Sequence, residues 1–209
     1  MSSSARPQPR PRLESAERRA LILQAASEMF AKQGYDQASM RKIASAAGVT
    51  TPVVYDHFES KTALYIDLLQ AYADDLIAHW VPTDASGPEE LLSQSIDAFF
   101  AWIEEHEQGW RMLFMDLSTD ETVAATQRAI QDRATRRAAT LFEQVPHLDV
   151  STSLDRGRMN EFFAETVKTA LNGVAAWWWA NRDVSRADVV ALTTDLLWRG
   201  LGRMTFAVE

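Results

Sequence analysis

Residues Ser39 to Lys61, S-M-R-K-I-A-S-A-A-G-V-T-T-P-V-V-Y-D-H-F-E-S-K, constrain the fold of this chain more than any other stretch. They place three helix starts and a tight turn close together. Ser39 has the side chain of an N-cap, and Met40, Ile43, Ala44 and Ala47 recur at helical spacing. Gly48 supplies the left-handed conformation that ends a helix, and Val49 then plugs the core. Thr50 or Thr51 caps a second helix, which starts at Thr51 or Pro52 and runs about two turns to Phe58. Proline is tolerated there because the first N–H groups of a helix have no intrahelical partner. Ser60 caps a third, longer helix with Lys61 in its first turn.

A helix, a glycine turn and a second short helix make a helix-turn-helix, whose second helix lies in the major groove with its N-terminal residues at base edges. Val54 and Phe58, four residues apart, pack inward, leaving Thr51, Pro52, Val53, Tyr55 and His57 for the outer and flanking faces. A threonine hydroxyl serves a base or a phosphate, Val53 suits a thymine methyl, and Tyr55 and His57 can donate to phosphate oxygens. Lys61 puts a cation beside helix-terminal N–H groups that attract phosphate. A plain helical hairpin is the alternative, with Tyr55 in the core and His57 on the surface.

The segment from about Arg18 to Leu69 resembles the N-terminal domain of the TetR family of transcriptional regulators. The resemblance lies in the apolar run L-I-L-Q-A-A-S-E-M-F followed by A-K-Q-G-Y, then I-A-S-A-A-G-V, then V-V-Y-D-H-F-E-S-K-T-A-L-Y. Position by position it implies DNA contacts at Arg41, Thr50, Thr51, Pro52, Val53, Tyr55, His57 and Lys61. Pro52 stands where members often have glycine or alanine, and Val53 and Val54 where they often have threonine, serine or leucine. The base preference is therefore open.

Charge supports a nucleic-acid partner in its distribution rather than its sum. The net charge is −8, yet residues 1–61 hold nine Lys or Arg against six Asp or Glu, and residues 62–209 hold twelve against twenty-three. A basic reading head on an acidic body orients a molecule toward DNA. Cysteine is absent, which excludes disulfides, thiolate nucleophiles and cysteine zinc sites and is compatible with the cytoplasm. The longest apolar run, Gly173 to Ala180, is far below the roughly 20 residues of a membrane span. No span is expected, and the N-terminal arginines lack the apolar block of a secretory signal.

The expected fold is all-α, with about nine helices in two parts. Residues 1–12, rich in Ser, Pro and Arg, read as a disordered tail whose Arg6, Arg10 and Arg12 either reach a minor groove or add weak electrostatic affinity. Residues 13–60 form the helix-turn-helix domain and residues 61–209 a helical body. The first helix runs from Glu14 to Gln33 and stops at Gly34; the fourth, from about Ser60 to His79, joins head to body. V-P-T-D-A-S-G-P breaks the chain. Further helices are expected from Pro88 to His106, Gly109 to Leu117, a Ser118–Glu121 capping box to Val145, Asp155 to Asn181, and Ser185 to Phe206, the last opened by a Ser185–Asp188 capping box.

The body holds Trp102, Trp110, Trp177, Trp178, Trp179 and Trp198. Three consecutive tryptophans on a helix point about 100° apart, so that helix has two sides to bury. The resemblance implies a small-molecule pocket enclosed by the body and a last helix pair that meets a second subunit in a four-helix bundle. Trp102, Trp110, Phe114, Phe163 and Trp177 are candidates for an apolar lining, with Glu165 and Asn172 as polar selectors. Glu165 and Asn172 share one side of their helix while Phe163 and Trp177 share another, so one pair is expected to miss the pocket, and each aromatic has ordinary core as its alternative. The ligand is a flat aromatic, a lipophilic cation or an acyl chain, with an acidic aromatic lining favouring the cation. Leu197, Trp198, Leu201 and Met204 offer more apolar surface than one subunit uses and are the candidate dimer contacts.

No nucleophile elbow, phosphate loop, His-Glu-x-x-His or Gly-x-Gly-x-x-Gly is present, so no enzyme activity, cofactor or metal is expected. His106, among Glu104, Glu105 and Glu107, reads as part of a solvated acidic helix end rather than a metal site, and His79 and His147 stand at helix ends. Together with the resemblance, which alone implies repression, these features lead to the expectation of a homodimeric regulator, a repressor released from a palindromic operator by a small hydrophobic or aromatic ligand. The alternative is a helical small-molecule-binding or scaffold protein whose helix-turn-helix does not read DNA.

Overall fold

A computed structural model describes residues 14–80, 85–116, 118–143 and 152–205, with side chains to residue 200. The described residues form helices α1 (Ser15–Gln37), α2 (Met40–Ala46), α3 (Thr51–His57), α4 (Lys61–His79), α5 (Pro88–Glu105), α6 (Glu107–Phe114), α7 (Glu121–Phe142), α8 (Arg156–Ala180) and α9 (Arg186–Thr205), and no strand. The 1–12 tail, the residues after Glu143 up to 151 (His147 included), and the side chains of Leu201 and Met204 lie outside this description.

The local signals act where the residue types place them. Gly34, at φ 76°, breaks α1 where a stop is expected, so Tyr35 to Gln37 continue off the axis of the first part of the helix. Ser39 Oγ accepts from Lys42 N at 3.4 Å and Ser60 Oγ from Ala63 N at 3.0 Å, each satisfying a helix-terminal donor. Gly48, at φ 68°, makes the turn between α2 and α3. Asp155 caps α8 through Arg158 N, and Ser185 exchanges hydrogen bonds with Asp188 at the start of α9.

Two starts differ from expectation. Asp120 rather than Ser118 caps α7, because its Oδ1 reaches Thr122 N at 3.0 Å and Val123 N at 3.1 Å; Ser118 Oγ instead accepts from Asp120 N. Helix α6 begins at Glu107 and ends at Phe114, three residues short of the expected end, since Met115 N and Asp116 N both turn back to Arg111 O.

One apolar core runs through the molecule. Ile22, Phe30, Ile43, Val54, Leu64 and Tyr65 bury the head's share, and the same cluster continues through Leu69, Trp102, Trp110, Leu171, Trp178 and Val189. Helix α4 belongs to both parts: it packs on α1 at its start and on α5, α6 and α7 farther along. Helix α7 lies on α8, α5 lies on α9, and α6 crosses α1 and α4. At that crossing a Cβ added to Gly109 would stand 2.6 Å from Tyr72 Cγ, so α6 and α4 approach as they do only because position 109 has no side chain.

Candidate nucleic-acid interface

Helix α3 is mounted on its apolar side. Val54 is fully buried and Phe58 is 4% exposed, so two side chains four residues apart seat α3, which packs on α2, while Arg19 of α1 lies over the Phe58 ring. Its other side is open. Pro52 and Tyr55 are exposed, Tyr55 at 52%, while Thr51, Val53 and His57 are partly covered. Thr50 is the N-cap residue by backbone geometry, but its side chain makes no capping hydrogen bond and is exposed, so its hydroxyl faces outward. Arg41 stands exposed on α2 with no ion-pair partner among the described residues. Six of these seven side chains occupy the α2–α3 turn and α3, and Arg41 stands in the first turn of α2, the elements a groove reader uses.

Lys61 differs from the rest. Its Nζ donates to Tyr35 O at 2.8 Å and lies 4.1 Å from the Tyr35 ring centroid, so the ammonium holds the tail of α1. A lysine at the start of α4 and a tyrosine just past Gly34 are too far apart in sequence for spacing to reveal this. Lys42 is anchored likewise, to Gln33 Oε1 and Gln37 O. Arg19 pairs with Asp67 at 2.8 Å and lies over Phe58, clamping α1 to α4.

The seven expected lining residues of the body are not all brought together. Trp110, 1% exposed, donates from Nε1 to Asn172 Oδ1 at 3.2 Å, and its ring meets Trp179 with centroids 6.2 Å apart. Phe114 packs against the same core. Trp102 is buried toward α4, its Nε1 donating to Asp75 Oδ2 at 2.7 Å, and Phe163 is buried farther along α8 against Phe142. Trp177 is 52% exposed, and it is Trp178 that fills the core against Phe100. Glu165 also faces outward: burial pushes its carboxyl up, but hydrogen bonds from Lys168 and Thr135 outweigh that and hold it below the usual range. It lines an open groove of about 630 Å³ between α7 and α8, with Thr135, Arg136, Arg158 and Phe162.

The two sides of α8 run as helical geometry demands, but burial along each side changes with height. The reason is that the covering helix changes along the length. Phe163 lies under α7, stacked on Phe142, whereas Trp177, on nearly the same side several turns later, is left half exposed.

On α9, Leu197 and Trp198 are partly buried in their own subunit, Leu197 against the core. The most exposed apolar side chains there are Leu192 at 69% and Leu196 at 72%, joined on α8 by Phe162 at 60% and Trp177 at 52%. Leu192 and Leu196 lie outside the set Leu197, Trp198, Leu201 and Met204 expected from the sequence. Their four-residue spacing was the available signal, masked by the second apolar stripe through Val189 and Leu197. His106 also departs from expectation: it is half-buried, stacks on Trp102 with centroids 5.0 Å apart, and sets Nε2 3.5 Å from Asp75 Oδ2.

Comparison with known proteins decides the family. Residues 22–68 match the family described as bacterial regulatory proteins, tetR family, and residues 82–207 match the tetracyclin repressor-like C-terminal domain. The chain belongs to the TetR family. Over 196 residues, 92% of this TetR-family chain and 87% of the relative, it is 31% identical to the HTH-type transcriptional activator FasR of Mycolicibacterium smegmatis. It is 34% identical over 91 residues to the HTH-type transcriptional repressor KstR2 of Mycobacterium tuberculosis, a match that covers 43% of this chain and 46% of that one. Among solved structures, a TetR-like transcriptional regulator from Rhodococcus sp. RHA1 superposes with a TM-score of 0.71 at 25% identity, over 91% of this chain and 99% of that one. The fatty acid degradation regulator FadR of Bacillus halodurans shares the fold, with a TM-score of 0.71 at 20% identity over 88% and 96% of the chains. The TetR-family chain is thus an all-helical, DNA-binding transcriptional regulator, and none of its described helices is long and apolar enough to cross a membrane.

Proposed function

We propose that this chain is a homodimeric, one-component regulator that reads a palindromic operator through α3 and responds to a small hydrophobic or aromatic molecule held in the body. The observation that carries the reading is the two-sided character of α3, buried at Val54 and Phe58 and open at Thr50, Pro52 and Tyr55. Residues 13–60 act as the reading head and residues 61–209 as the ligand-binding and dimerisation body. The exposed Leu192, Leu196, Phe162 and Trp177 support pairing of α8 and α9 with a second copy, joined by Leu197, Trp198, Leu201 and Met204 toward the end of α9. A two-fold dimer presents two recognition helices one duplex turn apart, about 34 Å, and so reads a palindrome.

Trp110, Phe114, Trp179 and Asn172 support a ligand site at the centre of the body, aromatic on most sides with one amide to orient the guest. Ligand there would shift α6 and α4 and with them the spacing of the heads. A few kcal/mol of difference in ligand affinity between the two arrangements suffices for this. Repression relieved by ligand is the first reading. Activation is the second, favoured by one observation: the relative matched along nearly the whole chain is named an activator. The place of action is the cytoplasm, where a bacterial chromosome lies.

The test is selection of retained fragments from a genomic DNA library at two salt concentrations. Retention of one palindrome, with affinity falling steeply as salt rises, is the expected result. Arg41→Glu combined with Tyr55→Ala should abolish that retention while leaving the melting temperature and the dimer unchanged; Lys61 is kept because it holds α1 in place. Retention of fragments without a shared sequence would instead favour a helical scaffold with a silent head.

A further inference from the structure

Besides α4, and besides the crossing of α6 on α1, the head is tied to the body at the corner before α7. Tyr35, 8% exposed, follows Gly34 on the tail of α1, and Ser39 opens α2 four residues later, so the place of Tyr35 sets where α2 and α3 begin. Its ring meets Tyr65 edge-on at 5.0 Å, and its carbonyl accepts the Lys61 ammonium. Its hydroxyl donates to Asp120 Oδ2 at 3.2 Å and lies 2.7 Å from Thr62 Oγ1. A phenol has one proton, so with that proton on Asp120 the Thr62 hydroxyl donates to Tyr35. The direction of the chain is therefore Thr62 to Tyr35 to Asp120, from α4 through α1 to α7.

Asp120 is itself fixed. Its Oδ1 caps α7 through Thr122 N and Val123 N, and its own N donates to Ser118 Oγ at 3.1 Å, which leaves Oδ2 aimed at the head. One position earlier, Thr119 Oγ1 donates to Asp36 Oδ2 at 3.4 Å, so the corner before α7 meets two successive residues of the α1 tail. Apolar packing of α4 and α6 on α1 holds the head without fixing its angle as directional bonds do. A hydrogen-bonded tether at the far tail of α1 narrows the rotation that this packing leaves.

We propose that Tyr35 and Asp120 are positioning residues for operator binding: the hydrogen bond from the start of α7 to the tail of α1 sets the rotation of the head on the body, and so the half-site spacing the dimer accepts. This rests on the operator-binding reading above. Neither residue touches DNA in this scheme; both act through α2 and α3. The corner preceding α7 follows directly on α6, so movement of α6 reaches the tail of α1 along this route as well as through its crossing with α1.

The test uses the full chain and the operator recovered by selection, remade with its half-sites one base pair closer and one base pair farther apart. Wild type, Tyr35→Phe and Asp120→Ser are compared; phenylalanine keeps the ring, and serine keeps an N-cap but is too short to reach Tyr35. Thr62→Val is a third variant that leaves α7 untouched. The expected result is a sharp spacing optimum for wild type whose preference over the neighbouring spacings falls at least about fivefold in each variant, the low end of coupling between sites. Tyr35→Phe with Asp120→Ser should do no more than either alone, since both break one bond. An unchanged optimum in variants that melt like wild type overturns the proposal, and so does an equal loss of affinity at every spacing, the mark of a destabilised head. If wild type itself retains no spaced palindrome, the operator reading falls and takes this one with it, whereas a wild-type optimum shared by all variants overturns this inference alone.

Discussion

Asp116 shows how one residue can carry a cost that its neighbours do not remove. It follows the end of α6, where burial pushes its carboxyl above the usual 3.8 and the attraction of Arg111 only partly opposes that. Among the described residues its buried Oδ2 has no hydrogen-bond partner, and neither has the hydroxyl of Tyr65, whose own ionisation burial pushes far up. A carboxyl whose folded pKa is raised binds protons more readily in the native state. Stability therefore grows as pH falls through the folded pKa, and above it the buried charge is a standing cost. Asp116→Asn should accordingly raise the melting temperature at pH 7. The gain should shrink as pH is lowered through the raised folded pKa, where the wild-type group takes up its proton. Melting curves from pH 4 to 8 check this, and a gain independent of pH would mean that the charge is not its source.

Among the elements, α6 is placed most sensitively. Helix α6 crosses α4 at Gly109, where the Tyr72 ring lies in the space a side chain would fill, and the Tyr72 hydroxyl is 2.6 Å from Ser27 Oγ on α1. One missing Cβ thus lets α6, α4 and α1 meet. Gly109→Ala should displace Tyr72, lengthen or break its bond to Ser27, and cost about 1–3 kcal/mol, the usual range for overpacking. Chemical denaturation would measure the loss. Tyr72→Leu in the same chain should recover most of it by freeing the space, which a general dislike of alanine in α6 would not allow.

At the scale of the whole molecule, the proposed dimer makes the exposed apolar side chains of α8 and α9 the contacts through which two heads would act together. Leu192 and Leu196 are each more than two-thirds exposed and four residues apart. Buried against a second copy, such side chains contribute about 1.5–3 kcal/mol each. Leu192→Glu with Leu196→Glu should place four like charges at the two-fold axis and give a monomer by sedimentation at micromolar concentration. The palindrome preference should vanish while weak, salt-sensitive DNA binding remains, because each head is intact. A variant that stays dimeric would put the interface elsewhere.

Much of the fold was legible without coordinates because its signals are local. Ser39, Gly48, Pro52 and Ser60 act within one turn of themselves, so the helix starts, the glycine turn and the two-sided character of α3 follow from neighbouring residue types. The all-helical class follows in the same way from periodicity, and the resemblance of Arg18 to Leu69 to the TetR family rests on those same residues. What only the tertiary structure decided depends on distant neighbours. Lys61 could be assigned to phosphate by position, but Tyr35, 26 positions earlier, holds its ammonium. Trp177 and Trp178 are adjacent and chemically identical, yet one is half exposed and the other fills the core, because α5 covers only one side of α8 at that height. Asp120 displaced Ser118 as the cap of α7 and at the same time reached Tyr35, 85 residues away. A sequence determines helices through contacts within a few residues; which side chains face a neighbour, a ligand or a second subunit is set by how those helices pack.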